Sequence, residues 1–282
     1  MDIEALDRSL AALEAHADTA WIEALGHRKR DELEFHDRRR DRTREASPGE
    51  SVTQKLHAAL DLFRASASSS AYLESWIARR APGKVFLDYA CGEGSNAIRA
   101  ARAGAKLAIG IDISRVSIEN ARRDAERAGL ASSTRFLQAD AENTQLPDGS
   151  VEIVVCSGVL HHLDLAAGFS ELRRILAPGG RILAVEALGY NPAIRLYRKL
   201  TPARRTRWEE DHILTLADLE LAQGWFTLGE VRYWHIAGLL AALARPLLPA
   251  LDALDSVLTR IPFVQLAAWI FTFELLKTQG EA

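Results

Sequence analysis

The sequence predicts an α/β fold, a mostly parallel sheet with helices on both faces, and three observations predict it. From Ala81 onward, short apolar runs alternate with amphipathic stretches of helical period. The first five runs are mainly apolar without strict alternation, which is the pattern of buried parallel strands. Glycine and proline punctuate the joins, at Pro82-Gly83, Gly129 and Pro178-Gly179-Gly180.

In order, the expected buried parallel strands are 85–89, 107–112, 134–139, 153–157 and 181–186, with 227–231 and 268–275 as two further strands. Between them, Ser114 is placed to cap a helix ending before Gly129, and Asp164 one that stops at Pro178. Residues 1–80 read as helical, with Leu6, Leu10 and Leu13, then Leu56, Leu60 and Phe63, spaced three or four apart around a break at Ser47-Pro48-Gly49. The expected division is an N-terminal helical cap or lid (1–80), a cofactor-binding core (81–187), and a substrate-side helical insertion that ends by completing the sheet (188–282).

A chain of 282 residues can bury an interior without staples. Its 35 basic and 38 acidic residues leave a net charge of -3, so no general field draws nucleic acid or an anionic membrane, and a small molecule is the expected partner. Cys91 and Cys156 fall in apolar or motif segments that suit reduced thiols. With no basic and apolar leader at Met1, Asp2 and Glu4, the expected compartment is the cytoplasm. The most apolar tract, 236–251, is broken by Arg245, Pro246 and Pro249 and is too short to span a bilayer. Its stripe of Ile236, Leu239, Leu240, Leu243 and Leu247 reads as packing.

Chemistry enters after the first expected strand, in Asp88-Tyr89-Ala90-Cys91-Gly92-Glu93-Gly94-Ser95-Asn96-Ala97. A strand ending in an acid, then a glycine turn, then a helix N-terminus lets a ligand approach bare backbone N–H groups. Gly92 to Ala97 also satisfies the G-x-G-x-x-A form of a dinucleotide loop, and Asp112 at the end of the second strand suits the ribose of either ligand. The third strand favours an adenosyl ligand over a dinucleotide, because Gln138-Ala139-Asp140-Ala141-Glu142 sets another acid on the same edge, where an adenine amino group is read. The fourth runs from Leu146-Pro147-Asp148-Gly149 into Cys156-Ser157-Gly158-Val159-Leu160-His161-His162.

This succession, 85–186, resembles the class I S-adenosylmethionine-dependent methyltransferases, especially the group that includes the ubiquinone and menaquinone biosynthesis enzymes. The resemblance implies a Rossmann-like seven-stranded, mostly parallel sheet, with S-adenosylmethionine as cofactor and S-adenosylhomocysteine as product. It further implies that Asp88, Ala90, Gly92 and Gly94 line the methionine and ribose portion, Asp112 the ribose, Ile113 one adenine face, Asp140 and Ala141 the adenine edge, and Ser157 the methionyl end. Ala90 departs from the family pattern D-x-G-x-G-x-G, standing where its first glycine usually is.

Methyl transfer from a sulfonium asks the protein to position a nucleophile and exclude water, and a base is needed only for a protonated acceptor. The acceptor-side candidates are His36, in Glu34-Phe35-His36-Asp37, and His212, flanking the acceptor. Arg195, Tyr197 and Arg198 are expected to orient it. One of His161-His162 is expected to border the cleft, with His161 a further catalytic candidate. Adjacent histidines with no third ligand at metal spacing predict no metal site. The arginine runs 38–40 and 204–207 read as solvated faces. The expected activity is O-methylation of a small or partly apolar metabolite. C-methylation of a prenylated quinone is the rival, and an NAD-dependent oxidoreductase or a non-catalytic binder represents another class. A homodimer is compatible with all of these.

Overall fold

Seven strands pair into a single sheet in the order β3-β2-β1-β4-β5-β7-β6 in a computed structural model that describes residues 3–15, 20–41, 67–238 and 245–278. The expectations at Leu56, Leu60 and Phe63, at Ser47-Pro48-Gly49, and at Leu239, Leu240 and Leu243 lie outside the described residues.

The strands are β1 (Val85–Tyr89), β2 (Leu107–Asp112), β3 (Thr134–Gln138), β4 (Val151–Ser157), β5 (Leu176–Ala187), β6 (Thr227–Trp234) and β7 (Ile270–Leu276). β1 to β5 pair in parallel, and β7 lies antiparallel between β5 and β6. The helices that position the site are α1 (Ile3–Ala15), α2 (His27–Arg40), α3 (Ala67–Arg80), α4 (Ser95–Arg102), α5 (Arg115–Arg127), α6 (Leu165–Ile175), α7 (Pro192–Leu200), α8 (Arg207–Asp211), α9 (Leu216–Ala222) and α10 (Leu248–Leu258).

Both faces of the sheet are covered, as the unbroken apolar strands require. On one face Leu87, Tyr89, Ile109, Ile111, Val154 and Cys156 pack with Leu6 and Leu10 of α1, Phe169 and Leu172 of α6, and Leu219 of α9. On the other, Phe86, Ala108, Ile153 and Val155 pack with Trp76 and Ile77 of α3 and with the small residues of α4 and α5. Cys91 and Cys156 are buried free thiols, and burial pushes both well up.

Ser114 caps α5 by accepting the Ser117 N–H at 3.0 Å, and Asp164 caps α6 through the Ala166 and Ala167 N–H groups. The Asp164 helix ends at Ile175, earlier than its Pro-Gly-Gly stop implies. Leu176 already pairs with Val151, and the Pro178-Gly179-Gly180 bend then loops out before Arg181 re-registers on Ile153. Among the described residues, no helix is long and apolar enough to cross a membrane.

Candidate functional site

The strand order reverses between β1 and β4, and in open α/β sheets the crevice beyond the carboxyl ends of strands at such a point is where ligands bind. Here the tips of β1, β2, β3 and β4 open into one cavity of about 470 Å³. It is lined by Asp88, Ala90 and Gly92 after β1, Asp112 and Ile113 after β2, Asp140 and Ala141 after β3, and Ser157 and Gly158 after β4.

Asp88 is fully buried and accepts the Asn96 and Ala97 N–H groups, each at 3.2 Å, so its carboxyl holds the N-terminus of α4 against β1. Burial pushes its pKa up to about 7 against the pull of those hydrogen bonds. Asp112, also buried and raised for the same reason, accepts from Gly92 N and Ser114 N at 2.8 Å each, which ties the glycine turn to the tip of β2. Ala90 takes the left-handed conformation itself, with φ +54°, so the bend survives without the family's first glycine.

Gly94 is placed differently from its expected role. It does not line the cavity: a Cβ there would stand 2.5 Å from Phe136 Cε1 and 2.8 Å from Ala121 Cβ. Its missing side chain admits the Phe136 ring from β3 and fixes α4 against the sheet.

Across the mouth lies α2, a strongly charged helix held by polar contacts. Lys29 Nζ meets Asp140 Oδ2 at 2.5 Å and Glu142 Oε2 at 2.8 Å, and Arg28 pairs with Glu142 and with the His162 carbonyl. Burial lowers the Lys29 pKa, but its two carboxylate partners outweigh this and raise it. Asp37 accepts Ser114 Oγ at 2.5 Å and Asn120 Nδ2 donates to the Arg40 carbonyl at 2.9 Å, so α2 is also stitched to α5. Arg40 leaves the solvated face assigned to its arginine run. Its guanidinium lines the cavity, 3.0 Å from where a Gly92 Cβ would be.

The histidines divide between the cavity and the structure behind it. His162 and His36 line the cavity, with ring centroids 5.3 Å apart. Both face Glu32 Oε2, His162 Nδ1 at 2.9 Å and His36 Nε2 at 3.5 Å. Burial would raise the Glu32 pKa, yet hydrogen bonds from His162, His36 and Thr206 bring it down to about 2. His161 stands behind: its Nδ1 lies 2.8 Å from Glu186 Oε2, while the other Glu186 oxygen accepts the Val159 and Leu160 N–H groups.

His212 does not line the cavity. It is exposed and stacked on Trp208 at 3.7 Å, with Nδ1 2.8 Å from the Trp208 carbonyl. Arg195 is exposed on α7, Tyr197 lies under the Arg205 guanidinium, and Arg198 donates to the Glu209 and His212 carbonyls. Tyr197 and Arg198 brace the insertion, and none of the three lines the cavity. The cavity is lined by Arg28, Lys29 and Glu32 of α2, which sequence reasoning passed over, and by Arg40, which it read as a solvated face. One signal for Glu32 existed, because it precedes His36 by one helical turn.

Residues 87–184 match the family model described as a methyltransferase domain. That stretch is similar to methyltransferase domains. The methyltransferase core is 38% identical over 109 residues to demethylmenaquinone methyltransferase of Thermus thermophilus, a match over 38% of this chain and 48% of the relative. It is 37% identical over 101 residues to 27-O-demethylrifamycin SV methyltransferase of Amycolatopsis mediterranei, over 36% of this chain and 37% of the relative. The matched stretch thus spans about half the length of these relatives or less. Among solved structures, geranyl diphosphate C-methyltransferase from Streptomyces coelicolor, in complex with Mg2+, geranyl diphosphate and S-adenosyl-L-homocysteine, superposes with a TM-score of 0.62. The identity is 16%, with coverage of 90% of this chain and 99% of that one, so the likeness extends the shared fold beyond the methyltransferase core.

Proposed function

We propose that the chain transfers a methyl group from S-adenosylmethionine to a hydroxyl or carboxyl oxygen of a small or partly apolar metabolite. The observation that carries the reading is that Asp112 and Asp140, on the tips of the neighbouring strands β2 and β3, face the same cavity as the Gly92 turn. A cavity of about 470 Å³ is of the size that small ligands occupy, roughly 300–1,000 Å³. The groups around it suit an adenosyl amino acid. Asp112 retains lone pairs for ribose hydroxyls beside the two N–H groups it already accepts, and Asp140 with Ala141 offers an edge for adenine. Gly92 presents bare backbone, and the Arg40 guanidinium above it is a partner for a carboxylate.

Bound there, the cofactor supplies an electrophilic methyl on a sulfonium. The protein's part is to orient the acceptor in line and keep water out, which α2 serves by lying across the mouth. His36 and His162 line the same cavity and offer ring nitrogens to which an acceptor hydroxyl can give up its proton. The 1–80 cap and the 188–282 insertion are the segments that select the acceptor in this reading. Arg198 and Tyr197 act on selection through the position of α8, and His212 through its stack on Trp208.

The test is calorimetry with S-adenosylhomocysteine and with NADH, followed by labelled methyl transfer to hydroxylated and carboxylated metabolites and to a prenylated quinone. Heat with S-adenosylhomocysteine and none with NADH supports the donor site, and label on oxygen supports the acceptor class. Label on a quinone ring carbon would give the reaction to the C-methylation reading. That reading is favoured by the similarity to the demethylmenaquinone enzyme.

A further inference from the structure

We propose that Glu32, His36, His162 and Glu209 form a site for one divalent first-row transition-metal ion at the edge of the cavity, where α2 meets the turn after β4. The four residues come from three places in the chain: Glu32 and His36 from one face of α2, His162 from the turn after β4, and Glu209 from α8. One ligand atom from each lies within 4.8 Å of all the others. Within the set, His162 Nδ1 is 2.9 Å from Glu32 Oε2 and 3.5 Å from Glu209 Oε1, and His36 Nε2 is 3.5 Å from Glu32 Oε2. Ligands held at about 2.0–2.2 Å around a tetrahedral ion stand roughly 3.3–3.6 Å from one another, so the set needs only small side-chain adjustments to converge on a common centre.

The ligand chemistry selects the ion. Two imidazoles with two carboxylates suit zinc, manganese, iron or cobalt, whereas magnesium and calcium prefer all-oxygen shells. Charge is compatible with this: Glu32 and Glu209 are only 5% and 6% exposed, and a cation between two carboxylates this close and out of water is favourable. Outer contacts already orient both carboxylates. Thr206 Oγ1 donates to Glu32 Oε1, and Thr206 N donates to Glu209 Oε1 at 3.2 Å. His161, anchored on Glu186, reaches Glu209 Oε2 with its Nε2 at 4.0 Å. The second cluster of potential ligands among the described residues, His235, Asp252 and Asp255, lacks this freedom. Both Asp255 oxygens are taken by the Ala237 and Gly238 N–H groups, and His235 Nε2 is taken by Ser69.

Occupancy of this site does not depend on the methyl-transfer reading, although any effect of the ion on an acceptor oxygen does. The test uses the full chain stripped with a chelator and titrated by calorimetry with Zn2+, Mn2+ and Mg2+, and with Co2+ followed by visible absorption. One equivalent of Zn2+ or Co2+ is expected to bind, Co2+ with the d–d bands of a nitrogen and oxygen shell, while Mg2+ gives no heat. His162→Gln and the pair His36→Gln, Glu209→Gln are expected to lower affinity at least 100-fold. Circular dichroism verifies the fold of each variant, and only variants that pass are compared. The single and the double variant guard against one of them failing to fold. The proposal is overturned if neither Zn2+ nor Co2+ binds, if folded variants bind as tightly as the parent, or if Mg2+ binds as well as Zn2+. S-adenosylhomocysteine binding is measured separately on the same samples, so failure of the donor site and failure of the ion site are read independently.

Discussion

Replacing Gly94 by alanine places a methyl group 2.5 Å from Phe136 Cε1 and 2.9 Å from its Cζ, on a residue with φ +73°. Two costs follow. The left-handed conformation costs an alanine about 1–2 kcal/mol, and forcing a methyl into filled space costs about 1–3 kcal/mol, so Gly94→Ala loses about 2–5 kcal/mol in all. That is a large share of the roughly 5–15 kcal/mol by which proteins of this kind are stable. The two costs separate in a double-mutant cycle. Phe136→Leu removes the ring that the methyl meets, so the double variant should recover about 1–2 kcal/mol of coupling, while the backbone cost and the 2.8 Å approach to Ala121 remain. The assay is urea unfolding of parent, both singles and the double at one pH, with S-adenosylhomocysteine calorimetry on the folded forms. Because Gly94 faces Phe136 and not the cavity, ligand affinity in the folded double variant should stay within about threefold of the parent. A cost below about 1 kcal/mol, or no positive coupling with Phe136→Leu, refutes the packing role assigned to this glycine.

Ala90→Gly relieves a left-handed alanine, and it should raise unfolding stability by about 0.5–1 kcal/mol after the entropy lost to a more flexible unfolded chain; a loss of stability in urea unfolding would show the bend is unstrained. Asp140→Ala removes the acid proposed to read adenine, and should weaken S-adenosylhomocysteine at least tenfold by calorimetry; unchanged affinity takes Asp140 out of the site. Burial raises the Asp88 pKa from 3.8 to about 7, so the folded chain holds a proton that the unfolded chain has released. Stability therefore falls as pH rises from about 4 to about 7 and is flat above, with this one group contributing at most ~4 kcal/mol of the change. In Asp88→Asn that slope should be lost, as read by urea midpoints at pH 5 and pH 8; an unaltered slope assigns it elsewhere.

Most strands were legible because they are local runs of buried apolar residues, β6 at the sheet edge being the exception with none buried: β1 and β2 fall on the expected residues, and the rest begin or end within a few of them, except that β5 starts five residues early at Leu176. The carboxylates Asp88, Asp112 and Asp140 were legible for the same reason. A residue at the end of a parallel strand beside the switch point has nowhere to go but the crevice. Gly94 was misassigned because a glycine that admits a ligand and a glycine that admits a phenyl ring look alike until the neighbour is known. His212 was expected beside the acceptor from the resemblance of its segment to one in related methyltransferases, whereas its stack on Trp208 depends on the short turn of α8.

The amino-acid order by itself determined the βα alternation, the glycine turn and the acids at the strand tips, since all three are written in stretches shorter than about twenty residues. Tertiary structure decided what meets what across longer spans. Lys29 pairs with Asp140 across 111 positions, His162 with Glu32 across 130, and Thr206 with Glu32 across 174. No period or motif encodes such pairs, because they arise only once α2 and the turn at Thr206 meet at the carboxyl edge of the sheet. That placement is set by the charges of α2 and not by an apolar stripe. For that reason the strand-tip wall of the cavity could be read from the chain, and the contacts that α2 makes with it could not.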